Sequence, residues 1–127
     1  TSVIIGIGTD VCSVERIRVA LERHGDRFAK HILAEAEWDA FKRNKKPANF
    51  LARRFAAKEA LSKALGTGLV SPVRWPNIAI GHDARGKPQI DSAPALAQFM
   101  QAQGITRSHI SISDERDVAV AFVVLEA

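Results

Sequence analysis

Arg53-Arg54-Phe55-Ala56-Ala57-Lys58-Glu59-Ala60-Leu61-Ser62-Lys63-Ala64-Leu65-Gly66-Thr67-Gly68 is the stretch from which the fold of this 127-residue chain is read. Its alanines favour helix and permit close approach of neighbouring elements, and Leu51 with Phe55, then Ala57 with Leu61 and Leu65, mark an apolar stripe. One long helix from about Ala48 to Leu65 is expected, ended by Gly66 in the manner of a helix C′ glycine. On that helix Glu59 and Lys63 lie four residues apart and share a face. The pair is then either a surface ion pair worth a few tenths of a kcal/mol or half of a metal-and-phosphate site.

On the amino-terminal side, Val3 to Ile7 is β-branched and apolar and ends at Gly8-Thr9-Asp10, which reads as a buried strand running into a turn. Ser13 has the character of an N-cap, with Glu15 in the first helical turn, Val14, Ile17 and Leu21 at helical spacing, and Gly25 as the stop. Phe28 to Phe41 reads as one or two short helices anchored by Trp38 and Phe41. On the carboxyl-terminal side, Ile78 to Gly81 and Pro88 to Asp91 are short strands joined by Asp83-Ala84-Arg85-Gly86-Lys87. A helix from about Ala93 to Gln103 follows. In Ser108 to Ser113 strict alternation puts His109, Ser111 and Ser113 on one face and Ile110 and Ile112 on the other, and Val118 to Leu125 returns as a nearly all-apolar strand of the kind buried on both faces.

The expected class is therefore α+β, a single domain over 1–127 with an antiparallel sheet packed against a long central helix. The length and the 46% apolar content suit one compact core. No run approaches the roughly 18 to 20 apolar residues of a membrane span, so a cytoplasmic protein without a membrane partner is expected. Cys12 is alone and cannot form an internal disulfide. The net charge of +4 and a pI near 9.6 point to an anionic substrate or partner. A nucleic-acid-binding module is the competing class, but it would interleave basic and aromatic residues, and the aromatics here read as core anchors.

Motif chemistry narrows the field further. There is no G-x-S-x-G elbow, no Walker loop and no cluster of Cys and His for zinc, and Gly6-Ile7-Gly8 lacks the third glycine of a dinucleotide fingerprint. A hard-cation site remains. Asp10 and Glu59 are acids adjoining apolar sequence, where an unpaired charge is costly, and two carboxylates are a sufficient protein contribution to Mg²⁺. The ordinary alternative makes Asp10 a turn residue and Glu59 the ion-pair partner of Lys63.

Gly6-Ile7-Gly8-Thr9-Asp10-Val11, the stretch Arg54 to Gly68, Gly86-Lys87-Pro88, His109-Ile110-Ser111-Ile112-Ser113 and Ala119-Val120-Ala121, in that order, resemble the holo-[acyl-carrier-protein] synthases, the small bacterial type of 4′-phosphopantetheinyl transferase. The resemblance implies transfer of the 4′-phosphopantetheine arm of coenzyme A to a serine of an acidic acyl carrier protein in fatty-acid biosynthesis. It implies that Asp10 and Glu59 hold Mg²⁺ against the pyrophosphate and that Lys63 stabilises the departing oxygen, these three being the catalytic set. Arg54, Lys58, Gly86, Lys87, Pro88, His109 and Ser111 join Lys63 as coenzyme A contacts, and Glu37 acting through water, or water itself, is the base, with a helix-surface role as the alternative for Glu37. Lys58 points about 100° away from Glu59, so an ion pair is its alternative. Arg16, Arg23 and Arg27 are expected to face the carrier protein, and a homotrimer with active sites between subunits is implied.

Overall fold

The computed structural model describes residues 3–127. Strand β1 spans Ile4–Ser13 and passes straight into helix α1, Val14–His24. Helices α2 (Asp26–Ile32) and α3 (Trp38–Arg43) flank a short 3₁₀ turn at Glu35–Glu37, so the region read as one or two helices is three pieces. Helix α4 covers Pro47–Leu65. A second 3₁₀ turn, Trp75–Asn77, leads into the hairpin of β2 (Ile78–His82) and β3 (Pro88–Ser92). Helix α5, Pro94–Ala102, then precedes β4 (Arg107–Asp114) and β5 (Val118–Glu126).

Local chemistry sets several of these boundaries. The Ser13 hydroxyl accepts the Arg16 N–H at 3.2 Å, satisfying a donor that helix geometry leaves free at the start of α1. Helix α4 begins with Pro47, whose missing N–H costs nothing at the first helical position. It ends at Gly66, which at φ 75° donates its N–H to the Ser62 and Lys63 carbonyls at 3.1 Å.

Strands β1, β5 and β4 form one antiparallel sheet in that order, and β2 pairs with β3 in a second. Strand β1 is longer than the sequence implies, since Asp10 pairs with Ala121 within the ladder rather than turning the chain. Alternation then directs Gly6, Gly8, Asp10 and Cys12 toward α4. Glycine is required at two of these positions. A Cβ on Gly6 would stand 1.9 Å from the Ala64 carbonyl oxygen and one on Gly8 2.0 Å from that of Ala60. The glycine pair that falls short of a dinucleotide fingerprint is therefore a packing device, letting a strand backbone lie directly on the alanine face of a helix.

Helix α4 is buried on more than the expected stripe: Leu51, Ala52, Ala56, Ala57, Ala60 and Leu61 have no exposed surface, and Arg54 and Lys58 are also inside. The sheet covers one side of it and the α1 to α3 region and β2 cover others. Strand β5 departs from the sequence expectation in the opposite sense. Ala119, Ala121, Val123 and Leu125 are fully buried under α4, whereas Val118, Val120 and Phe122 are exposed, as are Ile7 and Val11 of β1. A three-stranded sheet with its helix on one face leaves the other face open within a single chain. Among the described residues no helix is long and apolar enough to cross a membrane.

Candidate active site

Two elements that share no sequence meet where β1 lies on α4. Asp10 reaches the helix because of strand alternation, and Lys63 spans the gap, donating to Asp10 Oδ1 and to the Thr9 carbonyl, both at 3.0 Å. Glu59, one helical turn before Lys63, stands near enough that the Asp10 charge acts on it. Partial burial and that neighbouring carboxylate push the Glu59 carboxyl above its ordinary range, against the pull of Lys63, Ser62 and Trp75. Ser62 donates chiefly to the Glu59 main-chain carbonyl at 2.8 Å, with Glu59 Oε2 at 3.5 Å. The Lys63 side chain is 55% exposed, so its ammonium is free to exchange these partners for an incoming anion.

Two carboxylates facing each other with one mobile lysine form an oxygen-donor set of the kind Mg²⁺ takes, leaving its other positions to water and phosphate. The Glu59 carboxyl is raised first by burial and then by the Asp10 charge, and a divalent cation would relieve the second of these. The residues fit the ion. Among the described residues no group of three or more His, Cys, Asp or Glu gathers as a fuller protein cage.

Lys58, expected at coenzyme A, has its donors used inside the protein, and Arg54, expected there too, is largely buried beside it. Lys58 is fully buried and donates to Glu37 Oε1 at 2.5 Å, the Ile32 carbonyl at 2.6 Å and the Trp75 carbonyl at 3.2 Å, which uses all three of its hydrogens. Burial lowers its affinity for a proton, and the Glu37 charge offsets part of that effect. Arg54 Nε lies 2.9 Å from Glu37 Oε2, off the line of a good hydrogen bond, and its guanidinium sits 4.4 Å from the Phe50 ring centroid. The same Glu37 oxygens accept the Ala34 and Ile80 N–H groups at 2.9 and 3.1 Å. Glu37 is thus neither a surface residue nor a base open to water, because its carboxylate is saturated and only 3% of the residue is exposed.

A second cluster forms at the β2–β3 hairpin. Gly86 has φ 85° in a turn held by Asp83, whose Oδ1 accepts the Arg85 and Lys87 N–H groups at 2.8 and 3.0 Å. Lys87, Pro88 and His109 line one cleft of 370 Å³ with Asp83, Asp91 and Ser108. His109 Nε2 lies 2.6 Å from Glu126 Oε2. Strand alternation places His109 and Ser111 on the open face of the sheet, away from α4, so the chain does not bring them to Asp10, Glu59 and Lys63. Arg16, Arg23 and Arg27 are exposed on α1 and α2, and Arg16 borders a cleft of 340 Å³ with Val11, Cys12, Ile17, Phe28 and Phe55.

Trp75 is the site-adjacent residue that sequence patterning missed. It follows Arg74 and precedes Pro76 in an irregular segment, where no periodicity marks a side chain as facing anything.

Residues 6–123 match the 4′-phosphopantetheinyl transferase superfamily, and the chain belongs to it. Within that superfamily the likeness runs to the holo-[acyl-carrier-protein] synthases, and the chain is an enzyme of that group. It is 53% identical to the holo-[acyl-carrier-protein] synthase of Nitrosomonas europaea, across 97% of this chain and 98% of the relative. The crystal structure of holo-[acyl-carrier-protein] synthase from Neisseria meningitidis superposes with a TM-score of 0.95 at 49% identity, covering 98% and 100% of the two chains. That of Bacillus anthracis str. Ames, solved in complex with coenzyme A (3′,5′-ADP), superposes with a TM-score of 0.80 at 38% identity, covering 98% and 97%.

Proposed function

We propose that the chain transfers 4′-phosphopantetheine from coenzyme A to a serine of an apo acyl carrier protein in cytoplasmic fatty-acid biosynthesis, with Mg²⁺ held by Asp10 and Glu59. The observation that carries this reading is the exposed meeting of two carboxylates and one lysine across β1 and α4. In the reaction the serine oxygen bonds to the phosphorus that bears the pantetheine arm, and the bond from that phosphorus to the bridging pyrophosphate oxygen breaks. Adenosine 3′,5′-bisphosphate leaves, and the serine proton passes to solvent. Bound between the two acids, Mg²⁺ supplies charge neutralisation and Lewis acidity to the pyrophosphate.

Lys63 exchanges the Thr9 carbonyl and Asp10 for the phosphate oxygen on which charge builds. Gly86, Lys87, Pro88, His109 and Ser111 receive the nucleotide end, the hairpin turn offering close backbone approach and the lysine its charge. Because His109 and Ser111 lie on the sheet face opposite the acids, they serve a neighbouring copy, which favours a homotrimer packed on the open apolar face of β1 and β5. Arg16, Arg23 and Arg27 meet the acidic carrier, steering its approach more than tightening its hold. Arg54 and Lys58 have no part in this reading.

The test is a mass measurement. Incubation with apo carrier, coenzyme A and Mg²⁺ adds a phosphopantetheine mass to the carrier, and Asp10→Ala, Glu59→Ala or chelation with EDTA abolishes the addition. Unmodified carrier after incubation with several apo carriers would sink the proposal.

A further inference from the structure

Trp75 holds a buried donor that the structure leaves unsatisfied. Its indole Nε1–H makes no hydrogen bond of good geometry among the described residues and has no access to solvent, and a buried donor left without a well-aligned acceptor is costly. The ring stacks obliquely on Phe55, centroids 5.3 Å apart. Phe55 lies four residues before Glu59 on α4, and residues so spaced are neighbours on one helix face. The indole therefore lies over the turn of α4 that ends at Glu59, and the Glu59 carboxylate is the acceptor within its reach.

The segment that carries Trp75 is braced from several sides. Lys58, the residue before Glu59, donates to the Trp75 carbonyl at 3.2 Å. Asn77 Nδ2 donates to the Pro72 carbonyl at 2.9 Å, the Asn77 N–H to the Arg74 carbonyl at 3.0 Å, and Val73 is fully buried. Main chain and ring of Trp75 are thus both referenced to α4, one through Lys58 and the other through Phe55.

From this juxtaposition we infer that Trp75 is a positioning residue for Glu59: its indole N–H takes one carboxylate oxygen as acceptor and holds the other toward Asp10. A carboxylate that ligates a metal keeps its orientation through such an outer partner, and loss of the partner costs roughly tenfold or more in metal affinity or activity. The inference rests on the reading of Glu59 as a Mg²⁺ ligand only for its effect on metal binding. The contact itself can be tested without metal.

The experiment has two arms. In metal-free protein carrying Trp38→Phe, Trp75 supplies the one remaining indole N–H resonance, and Glu59→Gln is expected to move its proton upfield as a charged acceptor is replaced by a neutral one. A remote change, Glu126→Gln, leaves it in place. In the transfer assay, Trp75→Phe is expected to raise the half-saturating Mg²⁺ concentration about tenfold while turnover at saturating metal stays within about twofold. An indole proton unmoved by Glu59→Gln overturns the inference, as does an unchanged Mg²⁺ requirement in folded Trp75→Phe. If the indole responds but Glu59→Gln keeps full Mg²⁺-dependent turnover, the contact stands and the metal role proposed for Glu59 falls. The first arm keeps the indole, so it decides the matter even if Trp75→Phe does not fold.

Discussion

Lys58 and Lys63 stand five residues apart on α4, and each pairs with a carboxylate brought from another element, yet they belong to different kinds of site. Around Lys58 all three ammonium hydrogens and most Glu37 lone pairs are used: Glu37 accepts from Lys58, Ala34 and Ile80, and Arg54 lies against its second oxygen. Around Lys63 the balance is unfinished. Glu59 and Asp10 oppose each other, and the lysine is more than half exposed. A saturated buried cluster defines geometry, whereas an unsaturated cluster at the surface has affinity left for a ligand.

The largest effect expected on stability comes from breaking the buried cluster. Glu37→Ala strands two cations in the core and should cost about 3 to 5 kcal/mol in urea denaturation, enough to unfold a marginal domain. Gly8→Ala strikes the contact of β1 with α4 that brings Asp10 to the helix, since its Cβ would collide with the Ala60 carbonyl. A loss of about 1 to 3 kcal/mol is expected, together with weakened transfer because Asp10 follows two residues later on the same strand.

Lys63→Ala should separate the properties cleanly. Its exposed ion pair with Asp10 contributes about 0 to 1 kcal/mol to stability, so the thermal midpoint should scarcely move. Carrier modification should nevertheless fall about 100-fold or more. If Lys63→Ala unfolds the chain as Glu37→Ala does, the contrast between the two lysines fails.

The smallest expected effect on stability has the opposite sign. The Glu59 carboxyl is raised in the folded protein, so its ionisation disfavours folding: the favourable contribution is complete at low pH and is lost as pH rises through the folded value. Glu59→Gln should therefore raise the melting temperature of the metal-free protein at pH 7. The gain should vanish once pH falls below the ordinary carboxylate value of about 4.3, where Glu59 is protonated in both folded and unfolded chains. A melting temperature lowered at neutral pH would contradict the unfavourable setting of the Glu59 charge, half-buried and beside Asp10.

Most helix ends were legible, within a residue or so, because they depend on local chemistry. Ser13 caps α1, Gly25 stops it, and Pro47 and Gly66 bracket α4. The burial of strands was not, because one all-apolar segment such as Val118 to Leu125 looks the same whether both faces or one is covered within the chain. Asp10 was legible as a candidate acid but not as a strand residue, since the turn-like Gly8-Thr9 before it gives no hint that Gly8 serves helix contact. The inward turn of Arg54 and Lys58 was not legible for a related reason: their neighbour Glu37 lies in a different element, and no local pattern links 37 to 54 or 58.

By itself, then, the sequence determined the succession of elements, the long alanine-rich helix and the pairing of Glu59 with Lys63 on one turn. These follow from propensity and the 3.6-residue period, which act over a few neighbouring residues. Only the tertiary structure decided that Asp10 joins them, that Lys58 and Arg54 turn inward to Glu37, and that Trp75 covers the turn ending at Glu59. Those outcomes depend on a strand backbone lying directly on a helix and on charges finding partners across 17 to 53 residues of chain, distances over which packing rather than local preference selects the neighbour.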